Sequence, residues 1–371
     1  MRKLVIVSSA AVALALCAPA LAAEGRIPIW APTSLVGPGT DGKYIVTRNV
    51  APPGGSSAIF VSGTGTEEID IDLDGKTLFG DPLGAASIVD VSNVGTLVLR
   101  NGSVRAMGPP AGGDSVRVSN VQKVIIEDLR IEGGGAGIHL LAVSNFAVRR
   151  NVVVSADPFG IWAESAGNPV PMTGFIQENL VKDSTLGGIE LFDNHSSVSI
   201  DHNRVDRTLG GAGISLVNGN ACKVAENTVE QAAGIGIQLQ QVRGCKVYNN
   251  VVAFSGFHGI AGFGSSQVLY LDNTSTGNGG TGLWTDGAQN RVEQNVLNGN
   301  TACGLHLLGP DNTYGKNTAR ANAGGPPCGP CAAAPFNVCP FAGGAFPPEL
   351  CIDGPANTSF CDNLMPGPPT Q

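Results

Sequence analysis

The sequence is poor in cations. Lysine and arginine number 22 against 30 aspartates and glutamates, for a net charge of −8 over 371 residues. The basic residues are scattered, which excludes the electrostatic footprint of a nucleic-acid-binding protein. The same balance repels polyanionic sugars unless a cation bridges them. Long apolar runs are missing beyond the extreme N-terminus, so no later segment reads as a membrane span. Helical periodicity is missing as well: no ten-residue stretch repeats its apolar side chains at a helical interval. Glycine, valine, asparagine and isoleucine are abundant instead, a composition of short strands and tight turns. Neither a G-x-S-x-G element nor a phosphate-cradling glycine loop at a helix start is present, which removes the usual serine-hydrolase and nucleotide-site signatures.

The N-terminal exception is a targeting pattern. Arg2 and Lys3 precede an apolar run from Leu4 to Leu16, and Ala20-Leu21-Ala22 supplies small residues for cleavage. Residues 1–22 therefore read as a secretory signal, and the mature chain is expected in the periplasm or the medium. Leu16 before Cys17 does not suit a lipoprotein site. Cleavage leaves eight cysteines: Cys222, Cys245, Cys303, Cys328, Cys331, Cys339, Cys351 and Cys361. An even number in an oxidising compartment predicts disulfides. Cys328 and Cys331 have the spacing of a redox or metal pair, but export and the lack of nearby histidines favour disulfides.

What the chain does have is a repeat. Asn151, Asn179, Asn203, Asn227, Asn250, Asn273, Asn295 and Asn317 recur at intervals of 22 to 28 residues, with Asp128, Asn101 and Asp74 as apparent earlier members. A Gly-Ile or Gly-Leu pair keeps step, from Gly137-Ile138 through Gly236-Ile237 to Gly304-Leu305. An apolar residue lies three places before each Asn, among them Val148, Ile176, Val224 and Val247. Short strands broken by Gly and Asn at this period predict an all-β fold, a parallel β-helix in which stacked coils bury one continuous core. Asn suits a left-handed turn, and its amide can hydrogen-bond to the coil above and below. A leucine-rich solenoid would need a dense L-x-x-L-x-L pattern, which is absent.

The segments ENTVEQAAGIGIQL and NNVVAFSGFHGI, with the opening IDLDGKTLFG, resemble secreted right-handed parallel β-helix proteins of the pectin-lyase-like superfamily. The match is closest to the class of carbohydrate-binding proteins and sugar hydrolases that includes the periplasmic NosD-like proteins. It spans Ile69 to Asn322 and implies a right-handed single-stranded solenoid of about 10 coils. Residues 23–68 are expected to form an N-terminal cap with an imperfect first coil. Residues 323–371, rich in Pro, Gly and Cys, are expected to form an irregular disulfide-rich C-terminal cap. Cys222 and Cys245 each lie five residues before a repeat Asn. Adjacent coils about 4.8 Å apart then predict a Cys222–Cys245 bridge. Cys303 has no cysteine in its column and is assigned to the tail.

Within GIxL the two aliphatic residues point inward, so the residue between them points out. That column reads His139, Trp162, Glu190, Ser215, Gln238, Ala261, Trp284 and His306, with Glu164, Gln240 and Asp286 two residues further along their strands. Trp162 and His139 offer a surface for a sugar ring, and Glu164 and Glu190 are diagonal carboxylates suited to acid and base roles. Trp284, Asp286, His306 and Gln238 extend the ligand-binding candidates. No Arg or Lys occurs in these columns, so a neutral glycan is the easier ligand and a polyuronate the harder one. No cofactor is expected; calcium stays open, as the bridge that pectate lyases use. His195, His202, Asp193 and Asp201 have metal-ligating chemistry, but strand alternation should point Asp201 and His202 to opposite faces, and no metal site is assigned. GFHGI touches a polygalacturonase motif whose other segments are absent. The expected function is an exported β-helix that binds or processes a carbohydrate polymer as a hydrolase or lyase. The alternative is a non-catalytic NosD-like periplasmic or structural surface protein that binds a protein partner.

Overall fold

The computed structural model describes residues 25–322, except 83, 85 and 109–111, together with strand backbone at 350–352 and 358–359. The expected signal at residues 1–22 and most of the segment 323–371 lie outside the described residues. The chain forms a parallel β-solenoid of about 12 turns. All named strands join one continuous ladder system, and no helix occurs among the described residues.

Each regular coil contributes three short strands. The GIxL face stacks Ile138–Leu141, Phe159–Glu164, Ile214–Asn220, Ile237–Gln240, Ile260–Phe263 and Leu283–Thr285. The second face stacks strands such as Asn145–Arg149, Met172–Gln177, Lys223–Ala225 and Lys246–Tyr248. The third stacks Val152–Val154, Leu180–Lys182, Arg204–Thr208 and Val251–Ala253. Every strand pairs in parallel with its equivalent one coil away, as in Ile237↔Ile260 and Val224↔Val247. Period-two alternation then sends Ile138, Ile161, Ile189, Ile214 and Ile237 into a core from which water is excluded, and Val148, Ile176, Ile200 and Val224 meet them from the second face. The glycines before the GIxL isoleucines are required by close approach. A Cβ on Gly137, Gly213 or Gly236 would lie 2.6–2.7 Å from the carbonyl oxygen of the equivalent glycine on the next coil.

The asparagines form a buried ladder. Asn151 Nδ2 donates to Asn179 Oδ1 at 3.0 Å, and the same bond recurs from Asn179 to Asn203, Asn203 to Asn227 and Asn227 to Asn250. It continues through Asn273 and Asn295 to Asn317. Each Oδ1 also accepts the backbone N–H of the preceding ladder Asn. Each Nδ2 donates to a main-chain carbonyl of a preceding coil, such as Ile200 for Asn227. The left-handed conformation falls one residue earlier than expected, on Arg150, Glu178, His202 and Glu226, at φ between 54° and 56°. This corrects the upstream members of the series. Asp128, Asn101 and Asp74 occupy the left-handed turn itself. The ladder position beside Asn151 is Leu129, whose N–H donates to Asn151 Oδ1 at 3.0 Å.

The ends extend the coil. Ile27–Ile29, Thr33–Val36, Gly42–Val46 and Ile59–Ser62 already pair as parallel rungs within the segment expected to be mainly cap. Leu350–Ile352 adds to Leu305–Leu307, and Thr358–Ser359 to Thr313–Gly315. Cys222 and Cys245 are bridged as predicted, with Cα atoms 4.5 Å apart. Cys303 is disulfide-bonded as well, while the pairing of the tail cysteines lies outside the described residues.

The ladder makes a quantitative prediction. Asn227→Leu removes two donors and one shared acceptor, leaves the buried backbone N–H of Asn203 without a partner and takes one bond each from the Asn203 and Asn250 side chains. It is expected to cost about 3–5 kcal/mol, read as a lower urea midpoint at unchanged slope. A midpoint within error of the parent would show that the ladder does not hold the coils.

Candidate functional site

The outward column of the GIxL face runs further upstream than the Gly-Ile signature. Phe60 pairs with Asp90, Asp90 with Arg117, and Arg117 with His139. From there the register continues His139↔Trp162↔Glu190↔Ser215↔Gln238 and on to Ala261, Trp284 and His306. The expectation of a face without cations is therefore corrected. Arg117 stands in the column, on a coil where Val116 replaces the Gly-Ile pair. Its Nε is buried without a hydrogen-bond partner. Burial is the main cause that raises the Asp90 carboxyl above its ordinary range; Arg117 opposes it and Asp114 adds to it.

The first cluster is built on His139. Its ring stacks on the Trp162 indole with centroids 4.1 Å apart and planes 6° from parallel. Phe159 tilts against the other side of the cluster, 5.3 Å from Trp162. Nδ1 of His139 lies 2.8 Å from Asp114 Oδ2, and Nε2 lies 3.2 Å from Glu164 Oε1. The His139 ring thus bridges the Asp114 and Glu164 carboxylates. Asp114 is fixed through its other oxygen, which accepts the Ala136 N–H at 2.9 Å. Glu190 is the rung partner of Trp162, and Glu164 that of Phe192, so the two glutamates are diagonal as expected. Glu164 leans back toward His139, away from Glu190. Burial raises the Glu190 carboxyl above the usual range.

The second cluster centres on Trp284. Phe263 lies 4.7 Å and His258 5.7 Å from its ring, the latter 8° from parallel. Asp286 is exposed and accepts the Gly264 N–H. His306 pairs with Trp284 in register but is buried, as is His139. Gln238, half-buried between the clusters, donates to Gln240 at 3.3 Å. Register thus brings together His139, Trp162, Glu164 and Glu190, and separately Trp284, Asp286 and His306. Asp114 and Arg117 were missed because their coil lacks the Gly-Ile signal. His258 was missed because it precedes the strand instead of alternating on it.

The four metal candidates do not gather into one group. His195 is buried at the corner after the GIxL strand, and both ring nitrogens lack partners. Its ring lies so close to Gly219 that a Cβ there would collide with it. His202 lies at the surface, but not opposite Asp201. Its left-handed φ of 56° breaks the alternation, and Nδ1 lies 3.1 Å from Asp201 Oδ2. Among the described residues no three His, Cys, Asp or Glu side chains gather into a metal-holding group. Among the same residues no helix is long and apolar enough to cross a membrane.

Comparison with known proteins agrees with the coil geometry. A family model described as "Right handed beta helix region" matches residues 57–229 and 212–329. No curated protein matches the sequence. A double mutant of the periplasmic alginate epimerase AlgG is similar in structure, with a TM-score of 0.61 at 13% identity over 87% of this chain and 78% of that one. The A-module of the mannuronan C-5 epimerase AlgE6 of Azotobacter vinelandii is similar at a TM-score of 0.53 and 13% identity, over 88% and 91%. The A-module of AlgE4 from the same organism gives 0.55 and 13%, over 76% and 87%. At these identities the likeness is one of fold.

The buried histidines predict an acid limit to stability. Burial lowers His195 to about 4, with the nearby Val217 carbonyl and Asp193 offsetting only part of it. Burial, then His306, lowers His258 to about 4. Both values lie below the ordinary 6.5, so the unfolded chain binds these protons first. Their contribution is complete above pH 6.5 and is lost as pH falls from 6.5 to about 4. His195 is expected to account for about 3 kcal/mol, and His195→Leu should remove that share of the slope in denaturant titrations across that window. An unchanged slope would mean that His195 is solvated.

Proposed function

This chain belongs to the right-handed β-helix family, and on that premise we propose that its GIxL face binds and processes a carbohydrate polymer around Trp162. The observation that carries this reading is the convergence of a half-buried aromatic cluster with three acids. Trp162 is stacked and held by His139 and Phe159. Asp114 and Glu164 lie within hydrogen-bond distance of the two nitrogens of His139, and Glu190 stands one rung further along. The similarity to structures named as alginate and mannuronan epimerases supports a polysaccharide as ligand.

The chemistry favoured by this arrangement is hydrolysis of a glycosidic bond. Glu190, raised by burial, is the proton donor to the leaving oxygen. Glu164, oriented by His139, takes a proton from the attacking water. Its lean away from Glu190 leaves room for that water, as in inverting glycosidases. The acidic balance of the chain favours a neutral glycan. One observation favours an acidic one: Arg117 stands in register beside His139 and brings a cation to this cluster, the charge a sugar carboxylate would pair with. Export to the periplasm or medium belongs to the same proposal and rests on residues 2–22.

The deciding experiment measures binding and release of reducing ends on neutral polysaccharides and polyuronates, with and without calcium. Glu190→Gln is expected to lower turnover at least 100-fold with little change in KM. Trp162→Ala should weaken binding about 10-fold, near 1.4 kcal/mol. Binding without turnover in the parent protein would leave a lectin-like role. No binding to any polymer would transfer the face to a protein partner.

A further inference from the structure

Resting on that reading, we propose that Trp284, with His258 and Phe263, is a second sugar-binding platform that receives a distant part of the same polymer chain. The argument begins with Ala261. It occupies the outward position on its strand and pairs with Trp284 on the next coil, yet it is fully buried. Trp284 meets His258 and Phe263, which flank Ala261 on that preceding coil. The half-buried indole therefore packs beside the small side chain of Ala261, with the His258 ring stacked nearly parallel to it and Phe263 tilted against it. Phe257, 4.1 Å from the His258 ring, backs the assembly.

The polar groups around the indole suit hydroxyls. His258 Nδ1 accepts the Thr281 N–H at 3.0 Å, which leaves Nε2–H as the ring's donor. Asp286 is exposed, and its carboxylate is steadied by the Gly264 N–H. An aromatic surface edged by one fixed donor and one fixed acceptor is the chemistry that recognises a pyranose. Nothing in the core requires it, because the inward residues Ile260 and Leu283 are already fully covered from within.

The two platforms lie on one line. From Trp162 the register steps through Glu190, Ser215, Gln238 and Ala261 to Trp284. Five steps of about 4.8 Å place the indoles roughly 24 Å apart along the solenoid. A sugar unit in an extended polymer advances about one such step, so a chain of about six units reaches from one to the other. Glu190 and Gln238 face the units between. A disaccharide can occupy one platform but not both, and linked occupancy strengthens binding once the chain spans the gap.

The test titrates the full mature protein with size-fractionated oligomers, from two to about eight units, of cellulose, mannan and alginate, for length steps of about 4.8 Å. In the series that binds, affinity should rise steeply up to about six units and then level off. Trp284→Ala should lower affinity for the six-unit oligomer about tenfold or more and leave that of the shortest unchanged. Trp162→Ala should weaken every length. Trp284→Phe, which keeps an aromatic surface, should recover most of the loss and separates platform from misfolding. If Trp284→Ala binds the six-unit oligomer like the parent while Trp162→Ala does not, the second platform is overturned and the Trp162 reading stands. If no oligomer of any series binds the parent, both fall.

Discussion

Everything in this molecule depends on coils meeting in strict parallel register. A single coil has too few apolar contacts to bury its own face, and its main-chain groups find partners mainly one coil away. The asparagine ladder makes that register specific. The Asn227 amide satisfies the backbone N–H of Asn203, the side chain of Asn203, the side chain of Asn250 and the carbonyl of Ile200 at once. A slip by one residue would replace this amide with the Glu226 carboxylate or the Thr228 side chain at a fully buried corner. Four bonds from one short side chain explain why the position tolerates no alternative from Asn151 to Asn317.

This constraint divides each coil between residues that stack and residues that are free. Isoleucine and leucine of GIxL, the apolar residue before each Asn, and the glycine of the close corner are committed to stacking. Outward positions are committed only to a pitch. They repeat about every 4.8 Å, so a face presents its side chains as a ruled line. Positions outside this column carry surface ion pairs, such as Arg150 with Asp128 and Arg204 with Glu230. Such exposed pairs add little stability and serve mainly solubility. The GIxL column differs. There the side chains stack on each other, contact neighbouring acids and lie buried or half-buried, which is a costly use of an outward face unless something binds to it.

The repeat made the fold legible, and also set the limits of what could be read. Apolar columns, the GIxL alternation and the Cys222–Cys245 pairing follow from spacing alone, because stacking leaves no freedom at those positions. The ladder Asn was legible as a column, but its conformation was not. The left-handed residue is its predecessor, and only the structure shows that Asp128 sits in that predecessor's place while Leu129 faces Asn151. Most of the first cluster was legible for the same reason: His139, Trp162, Glu164 and Glu190 obey the period. Asp114 and Arg117 sit on a coil whose sequence, GGDSVRVS, has lost the signature. His202 illustrates a third limit, since one left-handed residue swings a side chain onto its neighbour's face and defeats the alternation rule.

The departures from the repeat fall around the first cluster. The coil from Asn151 to Asn179 is 28 residues long, the longest between ladder asparagines. Its strand Phe159–Glu164 carries Trp162 and Glu164 and leads into Ser165 and an exposed loop. On the next coil Gly187–Asp201 runs as one strand of 15 residues without the usual break between faces. The register shifts between Phe192 and His195 on one side and between Met172 and Gly174 on the other. Within this irregular stretch lies His195, a buried ring with neither nitrogen paired. Bulges, an extended loop and an unsatisfied polar group all weaken a solenoid that stacking alone would keep regular. Their concentration on the two coils that present Trp162, Glu164 and Glu190 is the pattern expected where a surface is shaped for a ligand and not for its neighbours in the stack.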